Sequence, residues 1–164
     1  MNYVKAGRRH GFSLLELVIV VVILGIIAAI AIPRMSRGSQ GAADSALSGN
    51  LAVLRNAVEL FSAEHNGSLP DGNIVTQLTE YTDSGGAVSA TKTGNYIYGP
   101  YLRQVPPLPV GTRKGATGVG AVASGSPPTV DANCGWWYNT TTGDVYANLA
   151  DTEVDALSKA YNTY

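Results

Sequence analysis

The stretch RRHGFSLLELVIVVVILGIIAAIAIP, Arg8 to Pro33, decides how the rest of the chain is read. From Phe12 to Ile32 it runs for 21 almost wholly apolar residues. As a helix that is roughly 30 Å, the thickness of a bilayer core. The β-branched residues between Val18 and Ile23 favour strand in water, but in lipid only a helix satisfies the backbone of an isolated span. One residue breaks the run. Glu16 places a carboxylate where hydrocarbon would surround it, which is costly and rare unless a partner is at hand.

Charge is unevenly placed around this segment. The whole chain of 164 residues carries 11 Lys plus Arg against 12 acids, a formal charge of −1. Lys5, Arg8 and Arg9 all precede the apolar run, and without the first eleven residues the remainder carries −4. Nothing here makes the basic stripe that nucleic-acid binding needs, so none is expected. Arg34 and Arg37 follow the run closely, so flanking charge alone orients it weakly. Cys134 is the single cysteine, so packing must hold the fold without an intramolecular disulfide. His10 and His65, far apart, make no zinc-ligand spacing with it.

Beyond Pro33, Leu47, Leu51, Leu54, Val58 and Phe61 recur at intervals of four, three, four and three, one stripe on a helix. Ala43 and Ala57 lie beside the stripe; Arg55, Glu59 and Glu64 lie off it. Asn66-Gly67 is a helix stop. The pattern predicts one long helix from about Phe12 to His65, apolar all round at first and amphipathic afterwards. Ile74 to Tyr81 reads as a short helix and Ser84 to Asn95 as a loop. Tyr96-Ile97-Tyr98 reads as a short extended segment, Val105 to Val110 as a Pro-rich link, and Gly111 to Pro128 as a Gly-rich loop. Two aromatic and β-branched runs between Gly135 and Ala147 flank a turn at Gly143 and predict a hairpin. Asp151 to Tyr161, with a Thr152/Asp155 start signal, reads as a short helix.

Gly11-Phe12-Ser13-Leu14-Leu15-Glu16, behind a basic leader and before a membrane-length apolar run, resembles the class III signal of type IV pilins and type II secretion pseudopilins. The Tyr98-Gly99-Pro100-Tyr101-Leu102 stretch, the Val105-Pro106-Pro107 link and the Trp-Tyr-Asn hairpin are similar to globular domains of major pseudopilins. The resemblance implies an α+β fold: a long N-terminal helix, transmembrane in its first half and amphipathic in its second, packed on a small antiparallel sheet. Its parts would be a leader over 1–11, a transmembrane half over 12–33, an amphipathic half over 34–66 and a β-rich domain over 67–164.

The resemblance also implies processing and partners. A membrane-embedded prepilin peptidase would cut between Gly11 and Phe12 and methylate the new amine of Phe12. Gly11, lacking a side chain, lets a protease approach the backbone closely. The partner implied for Glu16 is the N-terminal amine of a neighbouring subunit, because complementary buried charges select a register in which neither is left alone. Gly25 and Pro33 weaken a helix interior and would let the segment between them extend in a filament. Other implied partners are membrane lipid, an inner-membrane assembly platform and minor pseudopilins. The expected setting is a single pass of the bacterial inner membrane with the C-terminal domain periplasmic, and the filament in the periplasm or at the cell surface.

Several rival readings stand beside this one. A secretory signal peptide has a similar basic start, and Ala29-Ile30-Ala31 mimics its cleavage site, yet the apolar run is too long and contains Glu16. Gly118-Val119-Gly120-Ala121-Val122-Ala123 superficially matches a dinucleotide fingerprint but lacks the strand and helix that must flank it. Trp136 and Trp137 alternate on a strand, so one is expected in the core and the other exposed. Major pseudopilins often hold calcium, but Asp131, Asn133 and Asp144 are a sparse oxygen set, and no cofactor is expected. Asn139-Thr140-Thr141 and Asn66-Gly67-Ser68 fit the glycosylation sequon. No nucleophile–base–acid set is present, so the chain is not expected to be an enzyme. The reading is a structural filament subunit, a type II secretion pseudopilin; a surface type IV pilin and a membrane-anchored binding domain are the alternatives.

Overall fold

The computed structural model describes residues 11–123 and 133–164, with backbone only at 32, 33 and 35–37. Lys5, Arg8, Arg9, Ser126-Pro127-Pro128 and Asp131 therefore lie outside the described side chains. Helix α1 spans Leu14–Glu64, 51 residues, within two residues of the predicted limits at each end. The chain divides into two compact units, one ending at Ser39 and one beginning at Gln40.

In the first unit, Leu14–Ala31 has a mean hydropathy of 3.1 and is unburied throughout. This helix, exposing Leu, Ile and Val on every side, is long and apolar enough to cross a membrane, where acyl chains or neighbouring helices would cover it.

In the second unit the stripe does what its period requires. Leu47, Leu51, Leu54, Val58 and Phe61 are all buried, with Ala57 among them and Ala43 at the edge. Each such side chain contributes about 1.5–3 kcal/mol by leaving water. They pack on α2 (Ile74–Thr79) and on a sheet of β3 (Gly118–Val122), β4 (Cys134–Asn139) and β5 (Val145–Ala147). The sheet order is β3-β4-β5, with β4 antiparallel to β5 and parallel to β3. β1 (Tyr81–Thr82) and β2 (Val88–Ser89) form a separate antiparallel pair. The architecture is α+β, with the expected antiparallel hairpin set inside a mixed sheet.

The second helix and the hairpin match expectation, and Gly143 turns the hairpin at φ +81°. At α1's end, Asn66 and Gly67 take φ +56° and +83°, and the Gly67 N–H bonds the Ser62 carbonyl at 2.8 Å. That is a left-handed cap satisfying a last-turn carbonyl.

Four expectations need correction. The Gly111–Pro128 loop contains β3, because Gly118 lets its backbone come close to β4 where a Cβ would crowd it: a Cβ on Gly118 would lie 2.6 Å from the Asn133 carbonyl. The Ser84–Asn95 loop contains β2, and Tyr96-Ile97-Tyr98 contributes a single bridge, Tyr98 to Thr82. Asp151–Tyr161 is not helical: Val154 bridges Ala160, and the only helical turn nearby is a 3-10 turn at Tyr161–Thr163. Both tryptophans are buried, Trp136 at 0% exposure and Trp137 at 6%. Trp136 lies in the core and donates its Nε1–H to the Pro106 carbonyl at 2.8 Å, while Trp137 stacks on Tyr146 with centroids 4.5 Å apart.

Candidate functional site

Ser13 precedes the first helical residue and accepts the Leu17 N–H at its carbonyl, 3.2 Å away. Three positions on, Glu16 turns its carboxylate back, and the Ser13 N–H donates to Glu16 Oε2 at 2.9 Å. Glu16 therefore occupies the third helical position of a capping box, satisfying a donor that the helix itself leaves unpaired. The negative charge also sits at the positive end of the helix dipole. Ser13-x-x-Glu16 is the spacing that signals such a cap, a role for Glu16 that the charge-pair reading had passed over. Both residues are exposed in the single chain.

Gly11 and Phe12 precede the helix, and Phe12 is 89% exposed. The bond between them stands clear of the fold, and a Cβ at Gly11 would meet nothing within 4 Å. Gly25 is equally open, and α1 continues without interruption through Gly25 and Pro33 in this isolated chain.

The other end of the chain is fastened by carboxylates and hydroxyls. Asp155 Oδ1 accepts the Leu157 N–H at 2.7 Å and the Lys159 N–H at 2.8 Å, and its Oδ2 accepts the Tyr164 hydroxyl. The Tyr164 hydroxyl, followed by the Lys159 N–H, holds the Asp155 carboxyl below the usual carboxylate range. Glu153 accepts the Thr112 N–H at 2.7 Å and the Ala150 N–H at 3.1 Å. Burial works against its charge, but those N–H bonds outweigh it and its pKa is lowered. From α1, Arg55 donates to the Val145 carbonyl at 2.9 Å and to the main-chain oxygen of Tyr164 at 2.6 Å, while Asn50 donates to the Pro107 carbonyl at 3.0 Å.

Among the described residues, no three His, Cys, Asp or Glu side chains converge on a point where a metal could sit. Of the oxygen set considered for calcium, Asp144 Oδ2 accepts the Thr142 hydroxyl at 2.6 Å. His65 is a core histidine, stacked on Phe61 at 3.8 Å, with its Nδ1 2.7 Å from the Phe61 carbonyl and its Nε2 2.9 Å from that of Asp83. Asn139 is buried and accepts the Thr141 and Thr142 N–H groups, which leaves its amide committed to the hairpin turn.

No curated protein and no solved structure matches the chain. A family model, the prokaryotic N-terminal methylation motif, matches residues 7–32. That motif implies processing by a prepilin peptidase and assembly into a filament, and it coincides with the exposed Gly11-Phe12 bond, the Glu16 cap and an apolar helix long enough to cross a membrane. Over those residues the chain is similar to prepilin-type, type IV pilin-like proteins.

Proposed function

We propose that the protein is a pseudopilin: a subunit stored in a bacterial inner membrane with its second unit in the periplasm, cut between Gly11 and Phe12, methylated on the Phe12 amine and polymerised into a periplasmic filament for protein export. The observation that carries this reading is the methylation motif over residues 7–32, with Glu16 set at the head of its apolar helix. Cleavage would free an ammonium one residue before the Ser13 N–H that Glu16 already holds, so a carboxylate stands where an assembling subunit needs one. Desolvation in the membrane would make the pairing of that carboxylate with a neighbour's ammonium selective, since a wrong register strands both charges. Helix weakening at Gly25 and Pro33 belongs to the same proposal.

A pseudopilin is favoured over a surface pilin because a single cysteine leaves the last segment without the disulfide that many type IV pilins use there. The methylation motif supports a surface pilin equally. The deciding experiment is the intact mass of the protein from native membranes, with fragmentation of its N-terminus. A chain beginning at methylated Phe12 is expected. A chain beginning at Met1 or after Ala31 would overturn the filament reading, and electron microscopy of whole cells separates periplasmic from surface fibres.

A further inference from the structure

Leu157 is 88% exposed, whereas the next most exposed large apolar residue described in the second unit, Leu60, is 55% exposed. The exposure is not the consequence of a loose loop. Asp155 binds the N–H groups on both sides of the tip, its own N–H donates to the Lys159 carbonyl at 2.9 Å, and Ser158 turns the chain at φ +65°. A leucine held out by so many bonds forgoes the burial that its side chain would otherwise gain. Lys159 follows it at the base of the tip, its Nζ 3.9 Å from the Tyr164 ring centre.

Elsewhere on the same unit, α1 and the β4–β5 turn enclose a cleft of about 480 Å³. Half-buried Leu69 and exposed Ala63 give it an apolar surface, the exposed acids Glu59 and Asp144 bring carboxylates to it, and Arg55, whose guanidinium is spent on the Val145 and Tyr164 main-chain oxygens, lies beside them. The tip cannot fill its own cleft. Its Ala156 N–H reaches Asp44, and Glu59 lies fifteen residues further along α1, roughly 22 Å away at helical rise.

We infer that Leu157 and Lys159 of one subunit seat in the Leu69–Ala63–Glu59–Asp144 cleft of a second copy. The apolar tip meets Leu69 and Ala63, and one ammonium meets two carboxylates whose neighbouring cation, Arg55, is already held by main-chain oxygens. A knob and a hole at separate places on one surface make a head-to-tail contact, which repeats into a helical fibre when it does not close into a ring. The inference rests on the filament reading above and names the surface by which the second units touch.

The test uses the full chain in cells that assemble it. Leu157→Asp changes a side chain already in water, so membrane level and thermal melt should match the parent while fibres are lost; normal fibres from this variant would overturn the contact. Leu157→Cys combined with Ser62→Cys in the cleft should give a ladder of oxidised multimers that neither substitution gives alone. Fibres without the ladder would overturn the contact while leaving the filament reading intact. A parent chain that forms no fibres would overturn both.

Discussion

Tyr161 and Asp44 stand 117 positions apart and are joined by one hydrogen bond, the Tyr161 hydroxyl donating to Asp44 Oδ1 at 2.7 Å. The bond fastens the end of the chain to α1, and Tyr161 is itself buried. Tyr161→Phe keeps the ring and removes only the donor. A bond to a charged acceptor is worth about 1.5–3 kcal/mol, so a loss of that order is expected in thermal or urea unfolding of the detergent-solubilised chain.

Alkali should unfold the second unit before it affects the apolar helix. Burial pushes Tyr138 and Tyr161 up to about 12, aided at Tyr161 by Asp44, and the Asp155 carboxylate does the same for Tyr164. Burial with the Glu64 bond raises Tyr101 as well. In each case the folded state keeps a proton that the unfolded chain releases near its ordinary value of 10. Stability is therefore complete below about pH 10 and falls as pH rises toward 12. The phenolate absorbance of these four tyrosines and near-ultraviolet circular dichroism should change together over that range; ionisation of all nine tyrosines near 10 with the fold intact would contradict the assignment.

Gly135 has no room for a side chain. A Cβ there would lie 2.3 Å from the Ala116 carbonyl and 3.2 Å from Leu108 Cβ. Gly135→Ala must push the 108–116 segment off β4, at a cost of about 1–3 kcal/mol or more. The same substitution at Gly25, where nothing lies within 4 Å, should raise helix stability instead. Comparing the two melts checks both signs.

The last segment is closed by the hydrogen bonds of Asp155, Tyr161 and Tyr164, with Arg55 and Lys159 on Tyr164. A chelator and a reductant, together or apart, should leave the melting temperature of the chain where it was. A fall on adding the chelator alone would reveal a cation that these side chains do not account for.

The cap that Glu16 forms and the charge pair proposed for it are separable. Glu16→Ala removes cap and charge, whereas Glu16→Gln keeps an oxygen for the Ser13 N–H and removes only the charge. Cleavage after Gly11 should survive in both variants, and fibre formation should drop in both. Fibres from Glu16→Gln at the parental level would assign Glu16 to the cap and dismiss the charge pair.

How far the sequence could be read depended on whether each element carries its own signal. The α1 stripe is periodic because one face meets the core, so Leu47 to Phe61 announced themselves. The hairpin did so through aromatic runs around Gly143. β3 has no such signal: Gly118-Val119-Gly120 is poor strand material alone and is ordered by parallel pairing with a strand that begins sixteen residues later. Thr152 and Asp155 imitate a helix start, but the Asp155 carboxylate is spent on Leu157, Lys159 and Tyr164, a competition that local spacing does not reveal. Trp137 was misplaced for a related reason, since its cover is the Tyr146 ring across the hairpin. At the other end, the Ser13-x-x-Glu16 spacing carries the signal of the cap, which reading Glu16 for its charge alone did not use.

The polar ties from α1 to the rest of the second unit are spread along the helix: Asp44 holds Tyr161, Asn50 holds Pro107, and Arg55 holds Val145 and Tyr164. In the fibre proposed above, a load would reach each subunit through this helix. Tension entering at Asp44 would be shared with the anchorages at Asn50, Arg55 and Glu64, whose carboxylate accepts the Tyr101 hydroxyl, so no single bond would take the whole force. The subunit is thereby built like a riveted seam, in which slip requires several fasteners to shear together.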